Sequence, residues 1–212
     1  MNHEISNNHT AGTAQIIEGV IEAVQRAFFD LDTWSDEEMH SSGRFSARVF
    51  PQFRHLAEKL QCDVRFTASE PRNYEFLYDI CLLKTSGAFN ERNGYFYTHS
   101  PLRRALLVLE CEWSPREEEI VYDFSKLLLA RADLRCMIFY RSSRPLVDAC
   151  IERARFAIKS FEQSTTSDRY LLCGLHGRST TFTMLDGLGN DLEIGDFQRS
   201  IQKQARPHIQ NL

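Results

Sequence analysis

Glu110 and Glu112 stand two residues apart at the end of an apolar run, Ala105-Leu-Leu-Val-Leu-Glu-Cys-Glu-Trp113. The part before Glu110 reads as a buried β-strand. Side chains two apart on a strand share a face, so both carboxylates point the same way. Burying one carboxylate is costly, and two side by side also repel. A cation between their oxygens relieves both problems. Asp79 makes a second interruption, in Tyr74-Glu-Phe-Leu-Tyr-Asp-Ile-Cys-Leu-Leu83. If the two strands are neighbours, three acids meet at their ends within a few ångströms. All-oxygen donors suit a hard divalent cation such as Mg²⁺. An ion held by Asp79, Glu110 and a nearby carbonyl would polarise a phosphate oxygen and lower the pKa of a bound water. Glu112 would hold a second ion or accept the water's proton. Lys126, on the helix after the acidic strand, has a stem long enough to bring positive charge back to these acids. Without the metal, repulsion should raise the pKa of at least one acid.

Each of these residues also has a plainer role open to it. Paired glutamates at a strand end can face solvent. A buried Asp79 can be satisfied by hydrogen bonds alone. Lys126 lies three residues after Asp123, the spacing of an ordinary helical ion pair.

A second segment bears on function. The connection from Thr85 to Arg104 holds Phe89, Tyr95, Phe96, Tyr97 and His99 together with Arg92, Arg103 and Arg104. Aromatic rings interleaved with arginines suit stacking on bases and contact with phosphates, so Arg92, Tyr95, Tyr97, Arg103 and Arg104 are candidate nucleic-acid contacts. The competing expectation is a long hairpin packed on its own domain or on a second subunit of a homodimer. The seven histidines form no H-x-x-x-H cluster, and Gly187-Leu-Gly189 lacks the lysine and the strand-to-helix setting of a phosphate loop.

Periodicity supplies the elements that must position these groups. Residues 1–12 read as disordered. A helix from Thr13 to about Leu31 has one apolar face, with Ile16, Ile17, Val20, Ile21, Val24, Ala27 and Phe28 at helical spacing. Asp32–Gly43 reads as a polar loop, and a second helix is expected over Phe45–Leu60 with Pro51 as its weak point. Strands are expected at Asp63–Ala68, Tyr74–Lys84 and Ala105–Trp113. Ser114-Pro115-Arg116-Glu117 has the form of a capping box, with Pro at the first helical position, opening a helix to about Ala132. A fourth strand, Leu134–Tyr140, a helix over Leu146–Phe161 and a hairpin of Arg169–Leu175 with Ser179–Leu185 follow. Residues 196–212 form a polar tail, with a short helix over 196–206. The order predicts a mixed α/β layer fold with antiparallel strands at the sheet centre.

The chain has 212 residues, enough for a single domain with a substantial core, expected over residues 13–195. Its formal net charge of −4 argues against a non-specific nucleic-acid coat, but leaves room for an enzyme whose basic groove is local. None of the six cysteines has C-x-x-C spacing, so zinc is not expected, and most lie in apolar runs as buried, reduced thiols. With a polar start and no long apolar stretch, the sequence predicts a cytoplasmic protein with no membrane partner.

The order αβββαβ, with Asp79 in the second strand and Glu110-Cys-Glu112 ending the third, resembles the PD-(D/E)XK, or restriction-endonuclease-like, nuclease superfamily. The resemblance covers about residues 45–140. It implies an αβββαβ core with a mixed central sheet flanked by helices, here with an added N-terminal helix and C-terminal hairpin. It implies Mg²⁺- or Mn²⁺-dependent endonuclease cleavage of phosphodiester bonds, most often in DNA. Asp79 takes the place of the family's strand-two aspartate and Glu110 that of the following acid. Glu112 sits where the family usually has lysine, although some restriction endonucleases carry Glu there. Some branches move the lysine to the following helix, where Lys126 lies. The family sometimes adds an acid from its first core helix, which makes Glu58, with Glu75, a possible further ligand. Glu-Cys-Glu-Trp113 with Asp123-Phe-Ser-Lys-Leu-Leu128 also resembles a group of bacterial proteins. The alternative to an active enzyme is a catalytically inactive nuclease-fold protein, working as a nucleic-acid-binding or protein-interaction module.

Overall fold

The computed structural model describes residues 3–28, 42–66, 77–86, 101–177 and 179–194, with side chains from Gly12 onward in the first helix and from Ala47 onward in the second. The elements run α1 (His3–Phe28), α2 (Ser42–Leu60), β1 (Asp63–Phe66), β2 (Ile80–Thr85), β3 (Leu102–Glu112), α3 (Glu117–Leu129), β4 (Leu134–Tyr140), α4 (Arg144–Ser160), β5 (Arg169–His176), β6 (Ser179–Asp186) and β7 (Asp191–Leu192). The fold is α/β.

Among the described residues, seven strands join one sheet in chain order, β1 to β7. Its centre is parallel, which corrects the expected antiparallel centre. β3 pairs parallel with β4, and β4 with β5. The reason is the connections: α3 and α4 each carry the chain back to the start of the next strand, and a helical crossover yields parallel neighbours. The short connections do the opposite, so β1–β2–β3 and β5–β6–β7 are antiparallel. Two crossovers of the same hand place their helices on one face. Accordingly α3 and α4 bury Ile120, Phe124, Leu127, Val147, Cys150 and Ile151 against Val108, Met137, Phe139 and Leu172. The other face, with Leu107, Leu109, Cys136, Ile138 and Cys173, is covered by α1 and α2.

Close contacts hold the layers in place. α1 and α2 meet at Gly19, where an added Cβ would stand 2.3 Å from Cδ1 of Leu56. α4 meets β5 at Gly174, where a Cβ would stand 2.3 Å from Cγ1 of Val147. α2 is continuous through Pro51 and ends at Gln61, whose φ of 50° is left-handed. Nζ of Lys84 then donates to the carbonyls of Leu60 (2.7 Å) and Gln61 (2.6 Å), satisfying carbonyls left open at the helix end.

Several boundaries differ from expectation. α1 begins at His3, so its first turns take in residues for which the sequence suggests no structure. β3 begins at Leu102, so Arg103 and Arg104 are strand residues. α3 begins at Glu117, with Arg116 as a cap residue that makes no side-chain capping bond. The expected Ser114 capping box is therefore absent: the Ser114 hydroxyl accepts from Arg116 N (3.1 Å) in a turn before the helix. β7 is a two-residue strand after the turn at Gly189, where the sequence suggests only a polar stretch. All six cysteines are free, and five are buried. Glu75, Arg92, Tyr95, Tyr97 and His99, the 196–206 helix and most of the 32–43 loop lie outside the described residues. None of the described helices is long and apolar enough to cross a membrane.

Candidate functional site

The end of β3 is fixed before its acids do anything. Trp113 is buried, with its ring centroid 6.0 Å from Phe28 of α1 and 6.4 Å from Tyr140 of β4. Leu107, Leu109 and Trp113 pack toward α1 and α2, so strand alternation turns Val108, Glu110 and Glu112 toward α3 and α4. Glu110 is only 1% exposed, which excludes a solvent-facing role for it. Glu112 is half-buried, and its Oε1 accepts from Ser114 N at 2.6 Å.

Asp79 does not lie within a strand. The β2–β3 ladder ends at Ile80↔Leu109, and Asp79 is in the bend just before it. Its Oδ2 accepts from Cys111 N at 2.8 Å, so a side chain takes over hydrogen bonding where the ladder stops. The carboxylate still lies close enough to Glu110 for its charge to raise that residue's pKa.

α3 supplies the cation. Burial of Ile120, Phe124 and Leu127 sets the helix phase, and this phase turns Asp123 and Lys126 toward the end of β3. Nζ of Lys126 lies 2.8 Å from Oε1 of Glu110 and 2.8 Å from Oδ1 of Asp123. The pairing with Asp123 is the ordinary helical one, and the contact with Glu110 is made in addition. Oε1 of Glu110 nevertheless has no aligned hydrogen bond, so the ammonium meets it off the bonding direction, as a charge contact. Tyr78, next to Asp79, ties the bend to α3 through a long hydrogen bond (3.5 Å) from its hydroxyl to Lys126 O.

The electrostatics follow burial first. Desolvation pushes the Glu110 carboxyl up to about 8; the contact with Lys126 opposes this, while the charges of Asp79 and Asp123 add to it. Glu112 is also raised, by burial and by a hydrogen bond shared with Asp123, against the pull of Ser114 N. Repulsion between acids is thus present but is the smaller cause. Burial alone would lower Lys126, yet its contacts with the Asp123 and Glu110 carboxyls leave it above the usual lysine value.

The donors suit a hard divalent ion in their chemistry. Asp79, Glu110 and Glu112 offer carboxylate oxygens, and Oε1 of Glu110 is a buried acceptor that a cation would complement. The resting arrangement is looser than the sequence suggests. Among the described residues, no three His, Cys, Asp or Glu side chains gather closely enough to hold an ion as they stand. Asp79 and Glu112 are each engaged by a backbone N–H, and the cation seated against Glu110 is an ammonium.

Other expected residues are not brought to this site. Glu58 is exposed on α2, on the opposite face of the sheet, 3.7 Å from Nδ1 of His55, so it is not a ligand here. Arg103 and Arg104 sit at the far end of β3, about 20 Å from Glu110 at strand rise. Arg104 is paired with Asp133, its Nε 2.8 Å from Oδ1. The group the sequence undervalued is Asp123, whose only signal was its spacing from Lys126. No protein-family model matches the chain, and no curated protein matches it either.

Proposed function

We propose that the chain is a metal-dependent phosphodiester hydrolase of PD-(D/E)XK type, acting on DNA. The observation that carries this reading is Lys126 Nζ, 2.8 Å from the buried Glu110 carboxyl whose neighbour in charge is Asp79. Asp79, Glu110 and Glu112 would hold Mg²⁺ or Mn²⁺. Such an ion, when bound, supplies Lewis acidity toward a phosphate oxygen and a water acidic enough to lose its proton near neutral pH. The chain's own part is positional and electrostatic. The Lys126 ammonium stabilises negative charge that grows on the phosphoryl oxygens, the work Glu112 cannot do. Glu112, with its raised pKa, is suited to take the proton released by the attacking water. Burial of Glu110 keeps bulk water from screening these charges.

A second reading is favoured by one observation: the acids already have partners. Lys126, Cys111 N and Ser114 N could make this a structural network in an inactive nuclease-fold protein that binds nucleic acid or another protein. Thermal melts with and without Mn²⁺ separate the two. The hydrolase reading expects a rise in Tm on adding Mn²⁺ that is lost in Asp79→Asn. That variant keeps an oxygen for Cys111 N while removing the charge, so it tests the ion rather than the fold. A Tm indifferent to Mn²⁺ in both proteins would favour the structural network.

A further inference from the structure

Asp123 has no part in the mechanism above, yet it touches two of its groups. It lies on α3 with its side chain only 13% exposed, Oδ1 2.8 Å from Nζ of Lys126. It also lies close enough to the Glu112 side chain to raise that carboxyl's pKa. A lysine side chain has four rotatable bonds, and Glu110, like Asp123, meets its ammonium as an ion pair. Glu110 alone therefore does not fix where the ammonium sits. Asp123 is on the same helix as Lys126, and Ile120, Phe124 and Leu127 hold that helix against the sheet. Its short side chain makes it a stiff tether. On the outer side, Nζ already lies 6.0 Å from the centroid of the 66% exposed Tyr122 ring, so the ammonium stands at the solvent edge of the site.

We infer that Asp123 is a positioning residue, which holds the Lys126 ammonium over Glu110 and keeps it from turning outward into solvent. Its kinetic consequence rests on the hydrolase reading; its structural consequence does not. An exposed i,i+3 ion pair contributes little. This one is largely shielded, with Asp123 13% and Lys126 35% exposed, so removing it should change the location of the lysine.

The test has two arms on the full chain. In the first, lysines are acylated with a small amine-reactive ester, and the rate at each position is read by mass spectrometry. Asp123→Asn should speed modification of Lys126 several-fold, as loss of one partly shielded ion pair implies. Lys59, Lys84 and Lys159 should be unaffected, and Asp123→Glu should restore slow modification. An unchanged Lys126 rate in Asp123→Asn, with a native melting curve, would overturn the inference whether or not the protein cleaves DNA. In the second arm, Asp123→Asn should lower kcat with KM unchanged, and Asp123→Asn/Lys126→Met should be no slower than Lys126→Met alone. A double variant slower than Lys126→Met would show Asp123 acting on its own account and would also overturn the inference. Faster labelling in Asp123→Asn with no cleavage by the unaltered protein would support the tether and count against the hydrolase reading only.

Discussion

Glu110 is the residue around which the site turns. A carboxyl 1% exposed, with one oxygen lacking an aligned hydrogen bond, persists because Lys126 stands beside it. Its folded pKa of about 8 lies above its ordinary 4.5, so the folded chain holds a proton there that the unfolded chain releases. The stability this contributes is complete below pH 4.5 and is lost as pH rises through 8. Asp63, 3% exposed in β1 and raised to about 6 chiefly by burial, acts in the same direction over a lower window, from 3.8 to 6. Glu110→Gln should therefore flatten the fall in stability between pH 5 and 9, and at pH 9 the variant should be more stable by about 1 kcal/mol. Urea melts of both proteins across that range check it; parallel curves would mean that Glu110 does not carry the proton. The acids themselves were legible in the sequence because they interrupt apolar runs. That Lys126 reaches Glu110 was legible only as a possibility, since reach depends on the distance between helix and strand. Asp123 was masked by its spacing, which fits a solvent-exposed ion pair just as well.

Elements differ in how openly the sequence declares them. β4 spans Leu134–Tyr140 as its apolar run indicates, because every residue before Tyr140 is buried. The start of β2 was hidden: the apolar character of Phe76–Leu83 says nothing about where pairing with β3 begins, and it begins after Asp79. The start of α3 was hidden by competition. Glu112 takes the Ser114 N–H, and Ser114 turns to Arg116, so a sequence that spells a cap folds as a turn. Lys84 is an element-scale device that sequence patterns do not reveal. It lies on β2, yet it completes the C-terminus of α2 through the Leu60 and Gln61 carbonyls. Lys84→Met should cost about 1–2 kcal/mol, because it leaves two carbonyl acceptors at a helix end without their donor and removes a favourable charge. A lower urea midpoint with an unchanged Mn²⁺-induced shift in Tm would show that this tie belongs to the scaffold and not to the site.

At the scale of the whole molecule, the crossovers decide the layout. Two helices returning over one face make β3, β4 and β5 parallel and leave α3 lying across the end of β3, which is how its cation meets the strand's acids. Sequence order named the elements but not the directions of the central strands, because strand direction depends on which connections cross the sheet. The α/β class and the two-layer covering of the sheet follow from the fold; hydrolysis of a phosphodiester is the proposal built on its acid end. That proposal is tested most directly by a Mn²⁺-dependent cleavage assay over single-stranded, duplex and branched DNA, and RNA, run with the unaltered protein beside Lys126→Met. The account predicts Mn²⁺-dependent cleavage of at least one DNA substrate, reduced at least about a hundredfold in Lys126→Met. No cleavage of any substrate by the unaltered protein, or equal cleavage by Lys126→Met, would contradict it.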